Sequence, residues 1–304
     1  MVGDRASRSK IIFAATVSCL LLLNLVVFVS AYPETRVTDS GCCGNRPLAR
    51  DFSAFYIAAW RLFNDPSQVY KSGFLPDGES QVLPQPESYK YLPSFLLLVS
   101  PFLILPYQSA LTAFDVFQFL LLPLIGLLVY ELTRERGLPS AILLSFLVLL
   151  LPLPAPGLSA SAPYYWQWAE GQSKVLETLL LLLSFYLGKT RRPHLSGIVL
   201  GVAAFDPRFV LVSIPLFVTY NRASLSSAFL SATGSFLVSN AALLIPGVGT
   251  GFIAMLLGNG LTTPLYFYSL IPLFTVVALT LTNLGQVVEA FKAHISSDSR
   301  TIAP

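Results

Sequence analysis

Charge is scarce in this sequence. Asp, Glu, Lys and Arg make up 12% of its 304 residues, about half the share that a soluble domain carries. So few charges cannot solvate a globular surface of this size, which excludes a soluble enzyme. Cysteine is scarcer still. Cys19 lies inside an apolar run, and Cys42 and Cys43 are adjacent, where a mutual disulfide would be strained. A disulfide scaffold is therefore excluded. The two histidines, His194 and His294, fall in segments predicted to be cytoplasmic, so no His-based metal site is expected. There is no Walker loop and no G-x-G-x-x-G, and no cofactor is expected. The net charge of +3 is small and unclustered, which speaks against nucleic acid as a partner.

What is abundant is apolar. Hydrophobic residues make up 54% of the chain, which excludes intrinsic disorder. A bilayer-spanning helix needs about 20 mostly apolar residues. The composition predicts an all-α polytopic membrane protein with about six to nine membrane helices. The first span is Ile11–Ala31, behind Arg5, Arg8 and Lys10. A cleaved signal peptide is the alternative, because Val29-Ser30-Ala31 resembles a cleavage site. Further apolar runs are Tyr91–Pro106, Ser109–Leu132, Leu138–Pro152, Ser173–Gly188, Leu195–Ala204, Phe209–Tyr220, Ser226–Pro246 and Pro264–Leu284. Residues 32–90 are different: they carry six Lys/Arg and seven Asp/Glu, more than a third of all charges. A chain that concentrates its polar groups in one loop is expected to work there.

Lys and Arg recur at 1–10, at Arg134 and Arg136, at Lys189, Arg191 and Arg192, at Arg222, and at Lys292 and Arg300. The connections Pro152–Gly171 and Gly247–Thr263 have none. By the positive-inside rule the first group is cytoplasmic and the second extracytoplasmic. The protein is thus expected to be a multi-pass cell-membrane protein with a cytoplasmic N-terminus and residues 32–90 outside. Parity then makes Tyr91–Pro106, broken by Pro93, Pro101 and Pro106, an interfacial or re-entrant helix. Leu195–Ala204 and Phe209–Tyr220 are each too short to span. They read as two half-helices meeting at Asp206-Pro207-Arg208, or as one kinked span. The whole chain reads as a single membrane domain: a first span at 11–31, an extracytoplasmic loop with interfacial helices at 32–108, central helices at 109–220, and C-terminal helices with a short cytoplasmic tail at 221–304.

Several residues could carry chemistry. Asp51 opens a run in which Phe52, Phe55, Tyr56, Ala59, Trp60 and Phe63 share a helical stripe, predicting a helix on the outer membrane surface. Asp51 sits where an N-cap belongs; the functional reading is a general base at the membrane surface. Asp206 and Arg208 lie between apolar half-helices, either as a mutual ion pair or with Arg208 facing an anion. Lys90 snorkels to headgroups or binds a phosphate. Tyr164, Tyr165, Trp166 and Trp168 are interfacial belt residues or a sugar platform. Asp115 and Glu170 are the next carboxylates predicted near the outer side. No internal repeat is visible, which argues against a transporter of duplicated halves.

The ordered set resembles glycosyltransferase family 87, the polyprenol-phosphate-mannose-dependent mannosyltransferases of the GT-C superfamily. Four features carry the resemblance: Asp51-Phe52 with Tyr56 and Ala58-Ala59; Tyr91-Leu92-Pro93 followed by Pro101-Phe102 and Leu105-Pro106; Gly171-Gln172 opening a Leu-rich span; and Gly197 and Gly201-Val202-Ala203-Ala204-Phe205 leading to Pro207. Leu92 replaces the first of two prolines usual in the family. A lysine often lies near the Asp206 position there; along this sequence the nearest cation is Arg208. The resemblance implies a GT-C-like fold and an inverting transfer, on the outer face, from a polyprenol-phosphate-sugar donor to a lipid or glycan acceptor, among membrane lipids. It implies Asp51 as catalytic base, and Lys90, Tyr91, Gln172, Arg208, Trp166 and Trp168 as substrate-binding residues. The rival readings are a non-catalytic scaffold and a lipid or small-molecule transporter.

Overall fold

A computed structural model describes residues 2–31, 49–71, 89–150, 163–260 and 270–289. The described residues form helices and no strand. In chain order these are α1 (Val2–Ala31), α2 (Arg50–Asn64), α3 (Pro93–Val99), α4 (Tyr107–Thr133), α5 (Leu138–Leu150), α6 (Pro163–Ala169), α7 (Lys174–Lys189), α8 (Pro193–Ala203), α9 (Pro207–Asn221), α10 (Leu225–Ser239), α11 (Val248–Met255) and α12 (Leu270–Thr282). Three helical stretches are long and apolar enough to cross a membrane by length and composition, Ser9–Ala31, Tyr107–Arg136 and Pro207–Ser239, the last of them folded back on itself at the 3-10 turn Arg222–Ser224. Pro93–Ile104, Pro193–Ala203, Val248–Gly258 and Ile271–Thr282 are shorter and also apolar.

The pattern of burial is that of a membrane protein. Ile11, Leu22, Val26 and Val29 of α1 and Leu120, Leu124 and Leu127 of α4 are exposed, whereas Asn24 and Gln118 on the same helices are buried. Polar groups turn inward to find partners, as backbone and side chains must where no water competes. α1 is built into the core rather than lying beside it. Asn24 donates to the Leu149 carbonyl at 2.9 Å and accepts from the Trp168 indole at 3.1 Å.

Contacts between helix ends give the bundle its polarity. Phe13 packs on Tyr130, so the N-terminal half of α1 lies beside the end of α4. Lys189 donates to the Glu131 carbonyl and pairs with Glu135, bringing the end of α7 there too. Arg136 meets Asn283, just past α12. The connections rich in Lys and Arg thus gather at one end of the bundle. The short helices α2, α3, α6 and α11 cover the other: Ala49 donates to the Ala169 carbonyl, Leu92 to that of Phe205, and Tyr70 stacks on Phe252.

The segment expected as two half-helices or one kinked span is a hairpin. Asn221, at the end of α9, donates to Ser196 Oγ near the start of α8 at 2.9 Å. The chain therefore reverses at 204–206. It reverses again at the 3-10 turn Arg222–Ser224, because α10 runs parallel to α8: His194 meets Ser227 and Ser231, and Ser235 bonds the Ile198 carbonyl.

α2 departs from the sequence expectation. Residues 52–59 are all buried, so it is not a helix with one face on lipid. Phe52 packs on Tyr107 and Phe114, and Phe55 on Tyr91 and Phe95. The apolar stripe is real, but neighbouring helices cover it; Phe63, on the same stripe, is exposed.

Candidate active site

The site is built around a tight joint between α6, α2 and α7. The backbone amides of Ala49 and Phe52 donate to the Ala169 and Glu170 carbonyls at 3.0 and 3.1 Å. The C-terminus of α6 thereby satisfies amides that the first turn of α2 leaves open. Gly171 then takes a left-handed φ of 63°, and a Cβ there would lie 2.6 Å from that of Phe52. Only glycine meets both demands. Gln172 follows, and its backbone carbonyl accepts from Gln118 at 2.5 Å and also from Gln167. The Gln167 amide oxygen in turn accepts from the Lys174 backbone at 3.1 Å. The Gly171-Gln172 pair thus fixes where α7 begins.

Lys174, the first residue of α7, is fully buried. Its ammonium lies 2.9 Å from both Glu177 Oε2 and Asp206 Oδ2. Two rings flank it, Tyr91 at 5.0 Å and Phe209 at 4.8 Å. Asp206 is the N-cap of α9, with Pro207 at the first helical position. Its oxygens accept from Arg208 Nε at 2.8 Å and Nη2 at 2.7 Å, a two-pronged pair. Burial pushes the Tyr91 phenol up to about 12, opposed by Lys174 and reinforced by the carboxylates of Asp206, Asp51 and Glu177. Tyr91 therefore stays a neutral hydroxyl at ordinary pH.

Of the residues singled out in the sequence, the structure brings Tyr91 and Arg208 to this place, and Asp51 lies on α2 one helical turn before Phe55, whose ring packs on Tyr91. Asp51 is half-buried in the first turn of α2; the N-cap is Ala49, at a left-handed φ of 58°. The capping role expected for Asp51 is thereby corrected. Lys90 is half-buried beside Tyr91, but the ammonium that meets Asp206 is that of Lys174. Gln172 is buried and holds the joint through its backbone; both amide atoms of its side chain lack a partner among the described residues. Asp115 is buried in α4, and Oδ1 lacks a partner among the described residues. Glu170 is partly buried at the joint. Trp168 does not join the cluster: Phe28, Phe119 and Tyr164 surround its ring, and Asn24 takes its N–H. The side chain of Trp166 lies outside the described residues.

Lys174 and Glu177 were missed in the sequence. Their signal was present: opposite charges three residues apart at the head of a Leu-rich run, where ionisable groups are costly and rarely idle.

An all-α membrane protein with an ionised cluster beneath its short helices is the class that fold and site define. The sequence profile of glycosyltransferase family 87 matches residues 89–293, and the chain belongs to that family. It is a glycosyltransferase. The matched stretch includes Tyr91, Lys174, Glu177, Asp206 and Arg208, and Asp51 precedes it. No curated protein and no solved structure matches the chain.

Proposed function

We propose that the protein is an inverting hexosyltransferase of GT-C type, mannosyl by family resemblance. It moves a sugar from a polyprenol-phosphate donor to a lipid or glycan acceptor on the outer face of the cell membrane. The observation that carries this reading is the Lys174–Asp206–Arg208 cluster set against Tyr91, with the half-buried Asp51 on α2 one helical turn before Phe55, whose ring packs on Tyr91 at 5.5 Å. A transfer from a lipid phosphate needs both a base and a cation held ready for the leaving group.

In this mechanism Asp51 takes the proton of the acceptor hydroxyl. The hydroxyl oxygen attacks the anomeric carbon, the bond from that carbon to the phosphate oxygen breaks, and the lipid phosphate leaves with the bonding pair. Arg208 receives the phosphate. Its Nε–Nη2 edge is held by Asp206, while Nη1 has no partner among the described residues and the side chain is 42% exposed. Lys90, next to Tyr91, is a second cation for the same phosphate. With the basic end cytoplasmic, the eleven residues of α8 put Asp206 about 16 Å from that end at 1.5 Å per residue. That is just past half of a hydrocarbon core about 30 Å thick. A polyprenyl phosphate entering from the outer leaflet would find it beneath the short helices.

The test incubates purified protein in nanodiscs with labelled polyprenol-phosphate sugars and a membrane lipid extract, and reads the products by mass spectrometry. Transfer is expected with wild type. Asp51→Asn should lower it about 100-fold or more, the common contribution of a positioned base. Thermal unfolding of the same preparations serves as the stability check, so that transfer is compared per folded molecule. An Asp51→Asn protein as active as wild type would remove the base from this mechanism.

A further inference from the structure

We propose that Lys174 and Glu177 are positioning residues that set the site's affinity for a lipid phosphate through Asp206 and Arg208. A polyprenyl phosphate as the ligand follows from the transfer reading above; the rest follows from the geometry.

The four charges form a chain from the interior outward. Glu177 meets Lys174 at 2.9 Å, Lys174 meets Asp206 at 2.9 Å, and Asp206 meets Arg208 at 2.7 Å. Side-chain exposure along the chain is 0%, 0%, 2% and 42%. Only Arg208 can meet a ligand. The Lys174 ammonium is closed in by Tyr91 and Phe209 as well as by its carboxylates. It is placed to hold Asp206, not to hold a phosphate.

A buried ion pair is not by itself a stabilising device, since apolar residues of similar volume often serve as well or better. These charges have a different use. Asp206 sits at a chain reversal, and a carboxylate there with one partner could turn. Lys174 grips Oδ2 from behind, so both oxygens stay aimed at the Nε–Nη2 edge of Arg208. The guanidinium is then ordered before any ligand arrives, and the side-chain entropy of ordering it is not lost on binding. Glu177 Oε2 in turn holds the Lys174 ammonium at 2.9 Å, which keeps Lys174 in its place against Asp206.

The pairing also supplies a variant that should fold. Lys174→Met/Glu177→Leu removes both partners of the inner contact, leaves no buried charge unpaired, and keeps the Asp206–Arg208 pair. Purified full-length protein is titrated with undecaprenyl phosphate, and with undecaprenol as the neutral control, by native mass spectrometry. The double variant should unfold at a temperature near that of wild type and bind undecaprenol equally well. It should bind undecaprenyl phosphate about tenfold more weakly. In an Arg208→Gln background the same double change should cost less than about twofold, because residues acting through one another are not additive.

An unchanged phosphate affinity in the double variant overturns the assignment. So do losses that add fully to that of Arg208→Gln, and so does a wild-type protein that does not prefer the phosphate to the alcohol. Phosphate preference and non-additivity without any sugar transfer would sink the transfer reading and leave the positioning role standing.

Discussion

Trp168 and Lys174 are both completely enclosed, for different reasons. Trp168 fills the space between α1, α4 and α6, and its one polar atom is committed to Asn24. Trp168→Phe should leave Asn24 Oδ1 without its donor and lower stability by about 1–3 kcal/mol, the cost of an unsatisfied buried group. Transfer per folded molecule should be unchanged, whereas loss of a sugar platform would raise KM for the donor at constant stability. Thermal unfolding beside initial rates separates the two. Lys174 shows why sequence distance misleads. Along the chain Arg208 is the cation next to Asp206, and Lys174 is far away. In the fold both are direct partners of the same carboxylate. Asp51, Tyr91 and Arg208 were legible because each is a polar or aromatic group in a telling local pattern. The ion chain was not legible, because it exists only once α7 is laid beside the turn at Asp206.

Among the elements, α8 and α10 are held together by absent side chains. A Cβ on Gly197 would lie 2.1 Å from the Ala228 carbonyl oxygen, and one on Gly201 2.4 Å from that of Ala232. Small residues four apart let helix backbones approach this closely. Gly201→Ala should therefore push the pair apart and destabilise by about 1–3 kcal/mol, the usual cost of overpacking. Gly234, on α10 itself, has nothing within 4 Å of such an atom. Gly234→Ala should be neutral or stabilise by up to about 1 kcal/mol through helix propensity alone. Opposite shifts in unfolding temperature in detergent would bear out the contrast; equal shifts would mean that the close approach does not matter. Helix positions were largely legible from apolar runs and prolines, down to the break at Asp206. What covers a face was not. The stripe on α2 reads the same whether lipid or protein lies against it, and only the aromatic contacts of Phe52 and Phe55 decide.

At the scale of the whole molecule, the basic connections and the short helices lie at opposite ends of the bundle, with the ion cluster beneath the short helices. The Lys/Arg count predicted which connections share a side, and helix directions traced from unrelated contacts put the same connections together: Phe13 beside Tyr130, Lys189 beside Glu135, Arg136 beside Asn283. Charge and packing thus agree on two ends without assuming a membrane. The positive-inside rule predicts that the basic end faces the cytoplasm, and the proposed mechanism depends on that orientation. A donor entering from the outer leaflet can reach Arg208 only if the short helices are outside. A background lacking Cys19, Cys42 and Cys43 allows a direct measurement. A cysteine replacing Ser80, in the long polar loop, should react with an impermeant maleimide on intact cells. One replacing Ser224, exposed in the turn between α9 and α10, should react only after the membrane is opened. The reverse pattern would place the ion cluster toward the cytoplasm, where the same residues would have to serve a donor presented from the inner leaflet.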